Sequence, residues 1–392
     1  MSLRQKRQWL CFSIEGLNSF VTVLYFNYLY FFLRSRFGFD DKHNLAVAAL
    51  LGLIYTLASW QDGRLAHRWG YFAALKIGFG IMVGGLLAGS QLGSAAGQIA
   101  AAAVVTLGMC FTWPVLEALI SENETPVRVP HAVGIYNITW AATNALGYFV
   151  GGTLIVEFGF HSIFYTPLAV LLVQLGLTFW LQALGHPRIT AEAQVALPPD
   201  PNRPAPARAK TFLRMAWLAN PFAYIAINTL IAVIPGLAAR FELSPMMAGF
   251  ICSLWCFVRL GVFVALWFWT GWHYRFRWLA TAFAMLVLAF AAILIAPSLA
   301  VLVAAQVFFG AAIGLIYYSS LFYSMDAGDA KTEHGGIHEA AIGAGNCIGP
   351  AVGAASLQFL PQFASSGAVA VSVLLLCGFG GLVGIWKTGR GN

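Results

Sequence analysis

The chain has 392 residues, of which 59% are hydrophobic and only 9% charged, with a net charge of +7. A soluble globular domain carries about 25% charged residues, so this chain has too few to cover a water-facing surface. The basic excess lies mostly in short segments between apolar runs, which fits membrane orientation and excludes a nucleic-acid-binding stripe.

Taken in chain order, apolar runs of about 20 residues, the length that crosses a bilayer, recur throughout. Twelve spans are predicted near 9–33, 43–61, 71–92, 96–120, 131–157, 161–184, 212–238, 245–270, 277–296, 298–324, 335–359 and 365–386. The first follows the basic segment MSLRQKRQ and is read from Trp9 onward as a membrane helix, because no small-residue cleavage site closes a short apolar core. The six cysteines all fall inside apolar runs, which argues against a disulfide framework. Cys252 and Cys256, one helical turn apart, read as buried small side chains.

The connections are short with one exception. Residues 185–211, GHPRITAEAQVALPPDPNRPAPARAKT, hold six of the sixteen prolines and read as an extended linker. The predicted organisation is therefore a six-helix half at 1–184, a linker at 185–211, and a second six-helix half at 212–392. The two halves echo each other. GIYNITWAATNALGYFVG over GIHEAAIGAGNCIGPAVG, offset by 202, gives seven identities in eighteen positions, among them Asn144/Asn346, Gly147/Gly349 and Gly151/Gly353. LRSRFGF at 33–39 pairs with LAARFEL at 237–243 at an offset of 204. Two nearly equal offsets argue for a duplicated unit.

With the N-terminus placed in the cytoplasm, seventeen of the 22 basic residues fall on the cytoplasmic side and four outside, leaving Arg259 within a span. That bias puts both termini inside, in a membrane of the bacterial inner type.

Six plus six helices, a long central connection and a half-to-half repeat resemble the major facilitator superfamily. GRLAHRWGYF, Gly63 to Phe72, is similar to that family's glycine- and arginine-bearing signature between its second and third helices. Asp62, Gly63, Arg64, His67, Arg68 and Gly70 are the residues concerned, with His67 at the usual acidic position and Tyr71–Phe72 in place of a basic pair. The family's fifth-helix glycine pattern, associated with antiport, is similar to Gly147–Gly152 and Gly349–Ala354, where helix packing is the principal reading. The fourth-helix arginine of many drug exporters has no counterpart here. The resemblance implies an all-α fold of two pseudo-symmetric bundles that rock about a central site.

Charge within a hydrocarbon span is expensive and marks function by default. Glu15, Glu117, His338 and Glu339 are candidates for proton coupling or gating. Arg259, at mid-span, is a candidate for substrate binding, the alternative being a buried ion pair with Glu15, Glu117 or Glu339. For Glu15 and Glu117 the alternatives are gate pairs with a basic N-terminal residue and with Arg68. The helices that line the cavity in this superfamily supply Asn18, Asn27, Trp113, Asn228, Tyr317 and Tyr318, and neighbouring helices add Asn137, Trp140, Asn144 and Trp255. Trp9, Trp60, Trp272, Trp278 and Trp386 read as interfacial anchors.

No nucleotide-binding loop, metal cluster or nucleophile–base signature accompanies these residues, so no cofactor is expected and the chain reads as no enzyme. The expectation is a secondary transporter of a small organic solute, acting as a monomer in the lipid bilayer, proton-coupled and directed to export. The alternatives are a sugar or organic-acid uptake symporter and a non-transporting receptor or assembly partner on the same scaffold.

Overall fold

The computed structural model describes residues 2–121, 129–185, 204–327 and 334–389, with the backbone alone described at 62–67, 121, 129–130, 327 and 334–338. Fourteen helices follow one another: α1 (Leu3–Phe37), α2 (Asp41–Trp69), α3 (Tyr71–Gln91), α4 (Ala95–Cys110), α5 (Trp113–Ser121), α6 (Val129–Phe158), α7 (Ser162–Ala183), α8 (Pro206–Arg240), α9 (Pro245–Cys252), α10 (Leu254–Phe268), α11 (Phe276–Ile295), α12 (Leu299–Ala327), α13 (His334–Phe359) and α14 (Ser366–Gly389). The pairs α4/α5 and α9/α10 are each one interrupted span, so the fourteen helices make twelve spanning units among the described residues. Eleven of the units are long and apolar enough to cross a membrane. The remaining one, α6, carries Asn137, Thr139, Thr143 and Asn144 through its centre, and it packs between the halves.

Helix ends follow local chemistry. Ser2 and Gln5 form a capping box at the start of α1, with bonds of 3.2 Å and 2.8 Å, and Gly38 closes its end in a left-handed conformation at φ 71°. Helix α8 begins at Pro206, where a missing N–H leaves no intrahelical bond unmade.

The segment read as a loop between the second and third spans is helical. Helix α2 runs unbroken through Gly63, Arg64, His67 and Arg68 to Trp69, and Gly70 alone makes the turn into α3. Leu, Ala and Arg are strong helix formers, so the helix extends beyond the apolar run. Gly70 has φ 86° and ψ 147°, a backbone region that only glycine occupies readily. Gly70→Ala is expected to destabilise the protein by about 1–3 kcal/mol through backbone strain, since an added Cβ would touch nothing within 4 Å. Thermal unfolding of the purified variant measures this.

In the first bundle α1 packs on α6 and α7, and α3 on α4 and α7. In the second, α8 packs on α12, α13 and α14, and α11 on α12 and α14. The halves meet where α2 lies along α13 and where α6 lies along α9 and α10. The repeat is visible in how glycines set contacts within each bundle. A Cβ on Gly147 of α6 would lie 3.0 Å from the Phe20 carbonyl oxygen of α1, and one on its partner Gly349 of α13 would lie 2.5 Å from the Ile225 oxygen of α8. Small residues here let helices approach to backbone contact.

Two of the tryptophans read as membrane anchors are core residues instead. Trp272 is 1% exposed and packs edge-on against Tyr318, Phe322 and Tyr323. Trp386 stacks on Phe276 at 4.5 Å, next to Phe212. Trp9 and Trp60 are exposed, as a lipid-facing role requires.

Candidate functional site

Two helix interruptions shape the centre of the molecule. Pro114, in the first turn of α5, has no N–H and would clash with the carbonyl one turn earlier, so α4 stops at Cys110 and α5 restarts at Trp113. Thr112 bridges the gap: its hydroxyl donates to the Met109 carbonyl at 2.8 Å and accepts from the Asn18 amide of α1 at 3.2 Å. Asn18 therefore braces the break. The second interruption falls at Ser253, whose hydroxyl donates to the Phe250 carbonyl at 3.2 Å. Trp255, Cys256 and Arg259 follow within the next two turns.

Arg259 is 4% exposed. Its Nη2 donates to Asn144 Oδ1 of α6 at 2.7 Å, and its guanidinium lies 4.6 Å from the Trp140 ring centroid and 5.0 Å from that of Trp255. No salt bridge joins it to a carboxylate among the described residues, unlike Arg34, which pairs with Asp41. The buried ion pair expected as one alternative does not form. Two indole faces and an amide take its place, interactions that stabilise a desolvated guanidinium.

Trp140 is held in turn. Its Nε1 donates to Asn137 Oδ1 at 2.8 Å, and the Asn137 amide donates to the Val133 carbonyl at 2.8 Å. Asn137 is thus a brace for Trp140 and its amide is spoken for. Around the ring stand Trp113 at 6.5 Å, Phe263 at 5.7 Å and Tyr317 at 5.3 Å. Tyr318 is half-buried near Phe263 at 5.8 Å. Asn228 bonds Asn346, the repeat partner of Asn144, and the Tyr224 carbonyl. Asn27 is buried in α1.

Three glutamates converge from different helices. Glu15 of α1 is fully buried with the Tyr136 hydroxyl of α6 beside it. Glu117 of α5 and Glu339 of α13 are within electrostatic reach of Glu15 and of each other. Glu339 accepts a hydrogen bond of 2.5 Å from the Tyr55 hydroxyl of α2, across the seam between the halves. It is the sixth residue of α13, past the first turn where the helix N-terminus by itself favours an acid. Glu15 does not pair with the nearest basic N-terminal residue: Arg7 donates to the Leu181 and Gly185 carbonyls at the end of α7. Arg68 is exposed on the last turn of α2. The side chains of His338, Asp62, Arg64 and His67 lie outside the described residues, as does any contact Gly63 would make.

Tyr55 and Tyr224 were not among the sequence candidates. Tyr55 bonds Glu339, and Tyr224 lies in the field of both Glu339 and Arg259. A tyrosine in an apolar run gives no signal of its own, and Tyr55 sits on α2, which supplies none of the cavity candidates named from the family resemblance.

The family model described as Major Facilitator Superfamily matches residues 9–354. The chain belongs to that superfamily. Solved structures of other members share its fold. A peptide transporter (POT) variant in complex with alafosfalin is 16% identical, with 99% of each chain covered and a TM-score of 0.70. The human organic anion transporter MFSD10 (TETRAN) is 15% identical, covering 97% of this chain and 100% of its own, with a TM-score of 0.68. A bacterial homolog of the human lysosomal transporter Spinster, in an inward-facing and unoccupied conformation, is 13% identical, covering 99% and 96%, with a TM-score of 0.66. No curated protein sequence matches the chain. As a superfamily member it is a multi-pass membrane transporter and not an enzyme, and the seam between its bundles is where a solute site lies in transporters built from repeated halves.

Proposed function

We propose that the protein is a proton-coupled secondary transporter that moves a small organic solute by alternating access, in the direction of export. The observation that carries this reading is the meeting of Glu15, Glu117 and Glu339 at the seam, with Glu339 bonded to Tyr55 of the opposite half. Like charges brought together in a low-dielectric interior cannot all stay ionised, so such a cluster takes up and releases protons. A carboxyl that bonds Tyr55 when the seam is dry, and meets water when the seam parts, exchanges its proton with whichever side is open.

The halves 1–184 and 212–392, joined by 185–211, are the bodies that rock. In this conformation they are sealed at the face carrying the α1–α2 and α8–α9 turns. There Asp41 lies against Gly236, Gly152 against Pro245, and Lys42 donates to Gln358 at 3.1 Å. At the opposite face the halves touch through His131 of α6 and Trp267 of α10, ring centroids 5.2 Å apart, while the described residues of α5 and α12 form no comparable packed pair. The basic bias of the loops favours the outside of an inner-type membrane for the sealed face, and the cytoplasm for the opposite face and both termini. The glycine-rich seam of α6, similar to the pattern that accompanies antiport in the family, supports export. One chain holds the whole path, and a monomer suffices.

The test uses protein reconstituted in liposomes with an imposed pH gradient and a pooled small-molecule mixture, the trapped solutes being read by mass spectrometry. Accumulation that follows the gradient and collapses on adding a protonophore is expected. Accumulation indifferent to the protonophore overturns proton coupling.

A further inference from the structure

We propose that the transported solute is a monoanionic organic acid, a carboxylate or sulfonate on a flat apolar body, and that Arg259 receives its charge. This assignment rests on the transporter reading. Arginine keeps its proton in any protein interior and offers five N–H donors with no acceptor. Arg259 is buried, yet among the described residues it pairs with no carboxylate, although three glutamates stand elsewhere in the same seam. One neutral oxygen, Asn144 Oδ1, accepts from it. Its Nε–H is buried without a partner, and so is the Nε1–H of neighbouring Trp255. Charge and donors are both in surplus, and a single oxyanion supplies what is lacking to both. One guanidinium balances one negative charge, which favours a monoanion over a dianionic phosphate. A guanidinium also binds carboxylates in bidentate geometry, which requires a second N–H beside the one now held by Asn144. The wall beside it, formed by Trp140, Trp113 and Tyr317, suits a planar apolar body.

The location gives the ligand an action. Asn144 and Trp140 belong to α6 of the first half, Arg259 and Trp255 to α10 of the second. The Arg259–Asn144 bond therefore ties the halves together, and an arriving anion that competes for the guanidinium loosens that tie. Asn144 acts as the neutral place-holder for the solute's acidic group.

The experiment is equilibrium binding to the purified full chain in detergent, read as the shift in thermal unfolding midpoint, which a native-state ligand raises. The probes are benzoate, indole-3-acetate and naphthalene-2-sulfonate, set against benzamide and indole-3-acetamide at equal ionic strength. At least one acid is expected to raise the midpoint while its neutral partner does not. Arg259→Gln should weaken apparent affinity by about tenfold or more, with Arg259→Lys in between. Should Arg259→Gln fail to fold, Asn144→Asp decides. It places a carboxylate beside the guanidinium, so it should raise the unliganded midpoint and abolish the response to acids. Equal shifts by acids and amides, no response to any acid, or an Asn144→Asp protein that responds like the native one each overturn the proposal. Binding needs no gradient, so the two readings separate. Protonophore-sensitive transport with no acid preference sinks the anion assignment alone, and acid-selective binding without pH-driven transport sinks proton coupling alone.

Discussion

Glu339→Gln is expected to abolish pH-driven solute accumulation while leaving the fold and solute binding in place. Glutamine matches glutamate in shape, and its side-chain oxygen still accepts from the Tyr55 hydroxyl that bonds Glu339 at 2.5 Å, so the contact between α2 and α13 survives. What is lost is the ability to carry a proton. The ratio of solute accumulated with and without a pH gradient should fall to about one, since a site that cannot titrate cannot link the two fluxes. Downhill exchange of solute should continue. Tyr55→Phe makes the informative companion. It leaves the titrating group but removes its donor, at a cost of about 1–3 kcal/mol for a buried oxygen left unmatched. Coupling should persist in that variant with a displaced pH dependence. Gradient-driven accumulation that survives in both Glu339→Gln and Glu117→Gln would remove these carboxyls from the mechanism.

Gly152→Ala is expected to push the protein away from the conformation described here. A Cβ at that position would overlap the Pro245 carbonyl and come within 2.8 Å of Met246 Cα. Both obstacles are backbone, so no side chain can turn aside, and overpacking of this kind costs about 1–3 kcal/mol. Position matters as much as size. Gly152 lies on α6 and Pro245 starts α9 of the other half, so the clash falls on the sealed state and spares the interior of either bundle. A penalty of about 1.4 kcal/mol changes a two-state population tenfold. A cysteine at Leu45, now 1% exposed against the α13 seam, reports the shift, and its labelling rate should rise about tenfold in the glycine variant. A lowered unfolding midpoint with no gain in labelling would place the cost inside the bundles.

Most of the fold was legible because length and apolarity decide a membrane span almost alone. Even α6, which carries amides and hydroxyls through its centre, shows as an apolar run at 131–157. The break before α5 was written in Pro114. The break at Ser253 was not, since neither proline nor glycine marks it, and only tertiary packing makes α9 and α10 separate. The apolar span of α2 ends at Gln61 as its sequence predicts, but the helix runs on to Trp69, because helix formers continue past the apolar run. At the site, charge within a span drew attention to Arg259, Glu15, Glu117 and Glu339, and the structure brings these four to the seam between the halves. Their partners were harder to foresee. Sequence suggested a carboxylate for Arg259, whereas indole faces and an amide surround it. Asn137 looked available and is occupied with Trp140. Such facts depend on which side chains face one another across helices far apart in sequence, and spacing along one chain does not carry them.

The seal over the α1–α2 and α8–α9 turns is exposed to the ionic medium. It is made near water and partly of charge: Arg34 pairs with Asp41 at 3.2 Å, Asp41 lies against Gly236 within reach of Arg240, and Lys42 grips Gln358. Contacts of that kind are screened over about 8 Å at physiological ionic strength and over much less in concentrated salt, whereas the apolar seam beneath them is strengthened by excluded salts such as sulfate. The ionic medium facing that side thus becomes a setting on the machine: at equal ionic strength chloride and sulfate screen the seal alike, and sulfate alone tightens the apolar seam beneath it.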